Sequence, residues 1–260
     1  MTDYPFISCL CPTFGRTHLL EEAMQSFLDQ TYQGRKELII LNDFDQQELV
    51  FDHPEVRVIN TKERYPTMGE KRHATVEAAN ADFLTTWDDD DIMLPWHIER
   101  MWECYEDHRE TAPQGVVEGR YFFHNAADFL SLRNRKQPGV VLFSKDNYYP
   151  SGGYRPMNSG QDAELVRDMR IGVEVKRSVS YIYRWGTGMY HLSGTGRDVE
   201  GKKSGYNDCY DRLLKKVKQG VVPTGEVVLQ PKHCKPYLGL AMRAFRTHKI
   251  EPWKHPWRQP

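Results

Sequence analysis

The chain lacks the features that mark several common protein classes. No apolar run approaches the ~18 residues that a membrane-spanning helix needs. The opening Met1-Thr2-Asp3-Tyr4-Pro5 has neither the basic n-region nor the apolar h-region of a secretory signal. Cysteine is scarce: five in 260 residues (Cys9, Cys11, Cys104, Cys209, Cys234), an odd and scattered set. That excludes a disulfide framework, and no pair has zinc-ligand spacing. A reducing, cytoplasmic compartment is the expectation. The Gly-rich fingerprint of dinucleotide-binding folds is missing after the first apolar strand, which argues against a dehydrogenase. Internal repeats and low-complexity tracts are also absent.

What is present suits one large α/β domain with an appendage. Hydrophobic residues make up 39% of the chain, enough for a core. The net charge of −1 hides an asymmetry. Residues 202–260 hold 13 Lys and Arg against four Asp and Glu, so this tail carries +9 and the preceding 201 residues −10. We therefore divide the chain at residue 200, with residues 201–260 as a basic, aromatic, mixed or helical extension that meets something anionic.

Apolar residues from Phe6 to Cys11 read as a strand ending in Pro12-Thr13-Phe14-Gly15-Arg16. Leu19, Leu20, Ala23, Met24, Phe27 and Leu28 then recur at helical spacing. Glu37–Leu41 reads as a doubly buried strand that ends in Asn42-Asp43, and Val56–Asn60 as a third. A helix is expected from Thr67 or Met68 to Asn80, then a strand from Ala81 to Trp87. Leu94–His108 reads as another helix, with Pro95 at an early helical position where its missing N–H costs nothing. Gly115–Phe123, Val140–Phe143 and Tyr181–Trp185 read as strands, and Ala163–Arg170, Tyr206–Lys218 and Leu238–Thr247 as helices. This rhythm predicts a mostly parallel sheet with helices on both faces.

The stretch that organises the chain is Asp88-Asp89-Asp90-Asp91, on a strand-to-helix loop. Open α/β sheets bind ligands at that edge. Four adjacent carboxylates repel one another, and oxygen ligands of this kind suit Mg²⁺ or Mn²⁺. A solvated acidic turn is the competing reading. Asp162 falls at or next to a helix start, where capping alone would explain an Asp. Gly186–Gly196 is Gly-rich, fitting either a ligand-covering loop or an ordinary surface loop, and contains His191.

Together the pieces Cys11-Pro12-Thr13-Phe14-Gly15-Arg16, Ser26 through Gln30-Thr31-Tyr32, Glu37–Asp43, Gly69 with Arg72, Asp88–Asp91 and Gly160-Gln161-Asp162 resemble a family-2 glycosyltransferase of the GT-A fold, over residues 6 to about 195. The resemblance implies that Pro12, Thr13, Phe14, Arg16, Asp43, Arg72, Asp88 and Asp89 hold the nucleotide of a sugar donor, and favours UDP or a similar pyrimidine nucleotide. It implies Asp90 and His191 as ligands of Mn²⁺ or Mg²⁺, with Asp88–Asp90 as the Asp-x-Asp motif in a register that could shift by one. Asp162 would be the base that takes the acceptor's proton, in a single inverting displacement. A helix N-terminus would keep that carboxylate ionised. Where an acidic doublet is usual, the chain has Gln161-Asp162.

Three function classes compete: an inverting glycosyltransferase, a non-catalytic nucleotide-sugar-binding relative, and a two-metal phosphate-cleaving enzyme. For the transferase, the acceptor reading is a glycan or lipid-linked glycan. The alternative is a hydroxylated DNA base, because Tyr206, Tyr210, Tyr237, Phe245, Trp253 and Trp257 are interleaved among Lys and Arg in the tail.

Overall fold

The computed structural model describes residues 4–124, 129–184 and 206–253. Strands β1 (Ile7–Thr13) and β2 (Lys36–Asn42) are buried along their whole lengths and are joined by helix α1 (Thr17–Leu28). Strands β3 (Gln47–Val50) and β4 (Val56–Asn60) follow, then helix α2 (Met68–Ala78) and strand β5 (Phe83–Thr86). Beyond the acidic run lie β6 (Ile92–Met93) and α3 (His97–His108). The next segments are β7 (Gly115–Glu118), β8 (Tyr121–His124), β9 (Leu130–Arg133), β10 (Gln137–Ser144) and the single turn α4 (Lys145–Tyr148). Helix α5 (Gln161–Asp168), β11 (Val173–Val175) and β12 (Tyr181–Arg184) precede α6 (Tyr206–Lys218), β13 (Gly225–Val228) and α7 (Tyr237–His248).

A seven-stranded sheet runs β11-β7-β10-β5-β1-β2-β4. Only β10 is antiparallel to its neighbours, so the mostly parallel α/β class holds. Alternation along the strands splits the core into two layers. Cys9, Cys11, Leu38 and Ile40 face α1 and α3, among Met24, Phe27 and Trp102. Leu10 and Ile39 face the opposite way, with Val76 of α2 and Leu165 and Val166 of α5. The four described cysteines are free, as their spacing implied.

A second sheet, β6-β12-β8-β9, covers the carboxyl end of the first. On its outer side Ile92, Phe122, Leu130 and Ile182 pack against Leu240, Ala241, Ala244 and Phe245 of α7. The rest of the C-terminal segment also returns to earlier elements. Strand β13 pairs in parallel with β3, and Leu213 of α6 enters a cluster with Phe14, Leu19, Phe44 and Val222. Gly15 has φ +65°, and a Cβ there would meet Leu213 Cδ1 at 2.6 Å. No described helix is long and apolar enough to cross a membrane.

Three sequence expectations are corrected. Pro95 does not open a helix: Ile92–Met93 is recruited as a strand by β12, and α3 starts only after Trp96. The expected strand Gly115–Phe123 breaks after Glu118, so that β7 joins the large sheet and β8 the small one. Strands β3 and β13 have no counterpart among the expected elements.

Helix α2 starts as its sequence dictates. The Thr67 hydroxyl accepts from the Glu70 N–H, meeting one orphan donor of the helix, and donates to the Glu70 carboxylate at 2.7 Å. Its first turn docks on the segment before α5. Gly69 N–H donates to Met157 O at 3.0 Å, and Met68 N–H to Asn158 Oδ1 at 2.9 Å. A Cβ at Gly69 would stand 1.8 Å from the Arg155 carbonyl oxygen, so the two backbones can meet only at glycine. Gly69→Ala should therefore lower unfolding stability by ~1–3 kcal/mol, read as a lower denaturant midpoint at unchanged slope. An unchanged midpoint contradicts this close approach.

Candidate active site

The four Asp residues follow β5 after Trp87, in a turn. Asp88 and Asp90 line a cavity of about 230 Å³, together with Asp91, Arg16, Arg72, Gln137, Gly139, Asp162 and Tyr183. Asp89 does not line it. Its carboxylate is buried against the β1–α1 turn, accepting from Thr13 Oγ1 at 2.6 Å, from Arg16 Nε at 3.2 Å and from Arg16 Nη2. Arg16 Nη1 also donates to Asp90 Oδ2 at 2.8 Å. Burial opposes the charge on Arg16, yet Asp89 and Asp90 more than offset it and hold the guanidinium above its ordinary value. Asp89 is pushed up as well, because burial and the crowding by Asp90 and Asp88 outweigh Arg16.

Asp91 is 2% exposed and serves the second sheet. It accepts from Tyr181 OH and, at 2.8 Å, from the Arg184 N–H, which ties β12 to the acidic loop. Burial, then Asp90 and Asp88, raise it well above the carboxylate range. Arg184 is buried beneath the loop, donating to the Asp90 carbonyl, to Glu22 and to Tyr237 OH.

Arg72 joins the two halves of the cleft. Its Nη2 donates to Asp88 Oδ1 at 2.7 Å, and its Nε lies 3.2 Å from Asp162 Oδ1, close but not aligned for a hydrogen bond. A Cβ on Gly139 would sit 3.8 Å from Asp162 Oδ2 and 3.9 Å from Asp88 Oδ2. The two carboxylates thus converge from opposite sides over a glycine floor. Gly160, with φ +80°, is the N-cap of α5, and no side chain caps this helix. Capping therefore does not account for Asp162. The helix N-terminus does not hold this carboxyl down either: burial, reinforced by Asp88 and opposed by Arg72, lifts it to about 6. This corrects the expectation of a depressed value. With 21% of its side chain still exposed, Asp162 remains in contact with cleft water.

Other expected residues stand apart from this cavity. Asp43 is buried against Lys71 Nζ and accepts from the Tyr65 N–H at 3.1 Å. It edges a smaller depression of about 140 Å³ with Asp45, Lys62 and Arg64. Pro12 and Thr13 are buried in β1, and Phe14 lies in the apolar cluster, edge-on to Phe44 at 5.2 Å between centroids. His191 and the Gly-rich loop around it lie outside the described residues. Lys71 is a site residue that the sequence reading does not single out. It is 1% exposed and donates to the Thr13 carbonyl at 2.5 Å as well as to Asp43, while burial drags its pKa down. The available signal is its place next to Arg72: adjacent residues on a helix point about 100° apart, so this pair serves two neighbouring pockets.

A family model described as "Glycosyl transferase family 2" matches residues 8–154. The chain belongs to glycosyl transferase family 2. The match covers Asp43, Arg72 and the acidic run, and stops short of Asp162. Among solved structures, Staphylococcus aureus TarS 1–349 in complex with UDP is similar at TM-score 0.51 and 10% identity, over 69% of this chain and 60% of that one. TarS 1–349 in complex with UDP-GlcNAc is similar at TM-score 0.51 and 11% identity, over 82% of this chain and 66% of that one. At such identities the likeness is one of fold, and the chain spans less than two thirds of either structure. No curated protein matches the sequence.

The Arg16 pairing makes a direct test. Arg16→Leu leaves Asp89 buried without its cation and should cost ~3–5 kcal/mol in urea unfolding, while adding Asp89→Asn should recover much of that loss. Additive losses in the double variant contradict the pairing.

Proposed function

We propose that the cleft transfers a glycosyl group from a nucleoside diphosphate sugar to an acceptor hydroxyl, with inversion at the anomeric carbon. The observation that carries this reading is Asp162, free of helix capping and facing Asp88 across Gly139. A carboxyl near pKa 6 is ionised at neutral pH and still basic enough to share a proton in the transition state. Asp162 takes the proton of the acceptor hydroxyl as its oxygen bonds to the anomeric carbon. The bond from that carbon to the diphosphate breaks, and its electron pair leaves with the phosphate. Arg72, between Asp88 and Asp162, is placed to draw charge on the departing diphosphate away from the base. Asp43 and Lys71 beside the Thr13 carbonyl supply polar groups for the nucleoside. Uridine diphosphate, present in the similar TarS structure, is the first nucleotide to test.

The donor set fits a divalent cation. Asp88, Asp90, Asp91 and Asp162 line a cavity with only Arg16 and Arg72 as cations, which leaves it negative. Among the described residues no group of three or more His, Cys, Asp or Glu is placed to hold a metal ion. Mg²⁺ and Mn²⁺ are commonly held by one or two carboxylates plus substrate phosphates, and Asp90 with Asp88 supplies that number. Such an ion, when bound, neutralises the charge that develops on the diphosphate. His191 is a further candidate ligand.

Thermal unfolding with nucleoside diphosphates should show stabilisation that needs Mn²⁺ or Mg²⁺ and disappears in Asp90→Ala; a ligand at a hundred times its Kd contributes ~2.7 kcal/mol. No shift with any nucleotide sinks the donor reading. Asp162→Asn should keep that shift while turnover falls by ~10²-fold or more. The pH dependence has a definite sign. Because Asp162 titrates at about 6 in the fold against an ordinary 3.8, its ionisation destabilises the fold as pH rises through that window. Asp162→Asn should therefore melt no lower than the parent at pH 7, and the parent's kcat/KM should fall as pH drops below about 6.

A further inference from the structure

The inner face of the second sheet runs from the cleft to an open edge, and its make-up is specific. Alternation puts Tyr181 and Tyr183 of β12, Tyr121 and Phe123 of β8, and Ser131 and Arg133 of β9 on this one face. Tyr181 hydrogen-bonds Asp91 at the inner end, and Tyr183 lines the cavity that holds Asp162. Phe123 lies 5.8 Å from Tyr183 between ring centroids, and the Arg133 guanidinium sits 5.1 Å above the Phe123 ring. Phe123 and Tyr183 are half-buried, each with part of its surface exposed.

The β9–β10 connection closes this platform with Arg133, Asn134, Arg135 and Lys136, all exposed, and continues into Gln137, Pro138 and Gly139 of the cavity wall. Residues 129–145 hold four cations and no Asp or Glu. Arg135 donates to Tyr121 OH at 2.9 Å, and none of Arg133, Arg135 and Lys136 has a carboxylate partner among the described residues. Two exposed arginines on the α5 side differ. Arg155 and Arg167 are both spent on Glu164 and Asp168. Arg133, Arg135 and Lys136 thus form a cluster of exposed cations without carboxylate partners among the described residues, where the aromatic path leaves the cleft.

We infer that this lip binds a nucleic acid strand as the acceptor, its phosphates on Arg133, Arg135 and Lys136 and an unstacked base on Phe123 and Tyr183. The inference rests on the transferase reading of Asp162. Positive charge that tracks a backbone, interleaved with aromatic planes, is the arrangement by which single strands are held. A base-borne or sugar hydroxyl must leave the stack to reach a carboxylate inside a cleft, and half-exposed rings receive it there. A polyol phosphate chain would use the cations and leave the rings idle. A neutral glycan would use the rings and leave the cations idle.

The test is fluorescence anisotropy of a labelled single-stranded oligonucleotide carrying hydroxymethylated pyrimidines, titrated with the full chain at several salt concentrations. Binding should weaken log-linearly with salt. The triple variant Arg133→Ser, Arg135→Ser, Lys136→Ser should bind at least tenfold more weakly, with a salt slope shallower by about 2, since each phosphate no longer neutralised removes about 0.7. Phe123→Ala should weaken binding about tenfold with the slope unchanged. Absence of oligonucleotide binding, full binding by the triple variant, or tighter binding of a polyol phosphate or a neutral glycan each overturns the inference. The nucleotide-induced melting shift is measured on the same proteins. If that shift is intact and the oligonucleotide does not bind, the acceptor assignment alone has failed; if the shift is missing in the parent, the transferase reading has failed.

Discussion

Four carboxylates in succession cannot be packed into a protein without opposite charge or strong donors beside them, and the arrangement around the cleft follows from that constraint. The partners come from distant parts of the chain: Arg16 from the turn after β1, Arg72 from α2, and Tyr181 with the Arg184 N–H from β12. An unpaired buried carboxylate costs several kcal/mol, so each of these segments is drawn to the same place. The acidic run works as a hub. Two parallel strand ends, a helix start and the second sheet are brought into register by satisfying it.

The turn then divides the labour. Asp89 fixes the turn after β1, and Asp91, which also borders the cavity, fixes the position of β12. Asp88 and Asp90 line the cavity, where Arg72 and Arg16 pair with them. The same geometry brings Asp162 within reach, because Arg72 is shared between the two carboxylates and Gly139 leaves the floor between them open.

Long elements with one buried stripe are legible in the sequence. Helix α1, the doubly buried β2 and helix α6 appear close to their expected bounds, since periodicity over ten or more residues outweighs local exceptions. Short segments are not legible. Strands β3 and β13 are four residues each, and β13 is largely exposed, so their pairing is decided by tertiary contact. Pro95 misleads because its local preference for a first helical turn yields to the pairing of β6 with β12. At the site, residue types are legible and environments are not. Sequence points to Asp162, but whether its helix dipole or its burial governs its charge depends on packing. Phe14 is implied as a nucleotide contact by the family resemblance. The turn at Gly15 sends it into an apolar cluster, and that cluster includes a residue two hundred positions away.

That last contact bears on how the molecule is made. Leu213 closes over Gly15 and Phe14, and β13 lies along β3 beside the second strand of the main sheet. The turn that carries Arg16 to the acidic hub is therefore the first part of the site to be synthesised and among the last to be sealed. During translation β1, β2, β4 and β5 can pair early, β10 and β11 join the sheet later, and the cover over Gly15 and Phe14 waits for some two hundred further residues. Enclosure of that turn is thus timed by the far end of the chain, and a nascent fragment that already holds Thr13, Arg16 and the four Asp still lacks both Asp162 and Leu213.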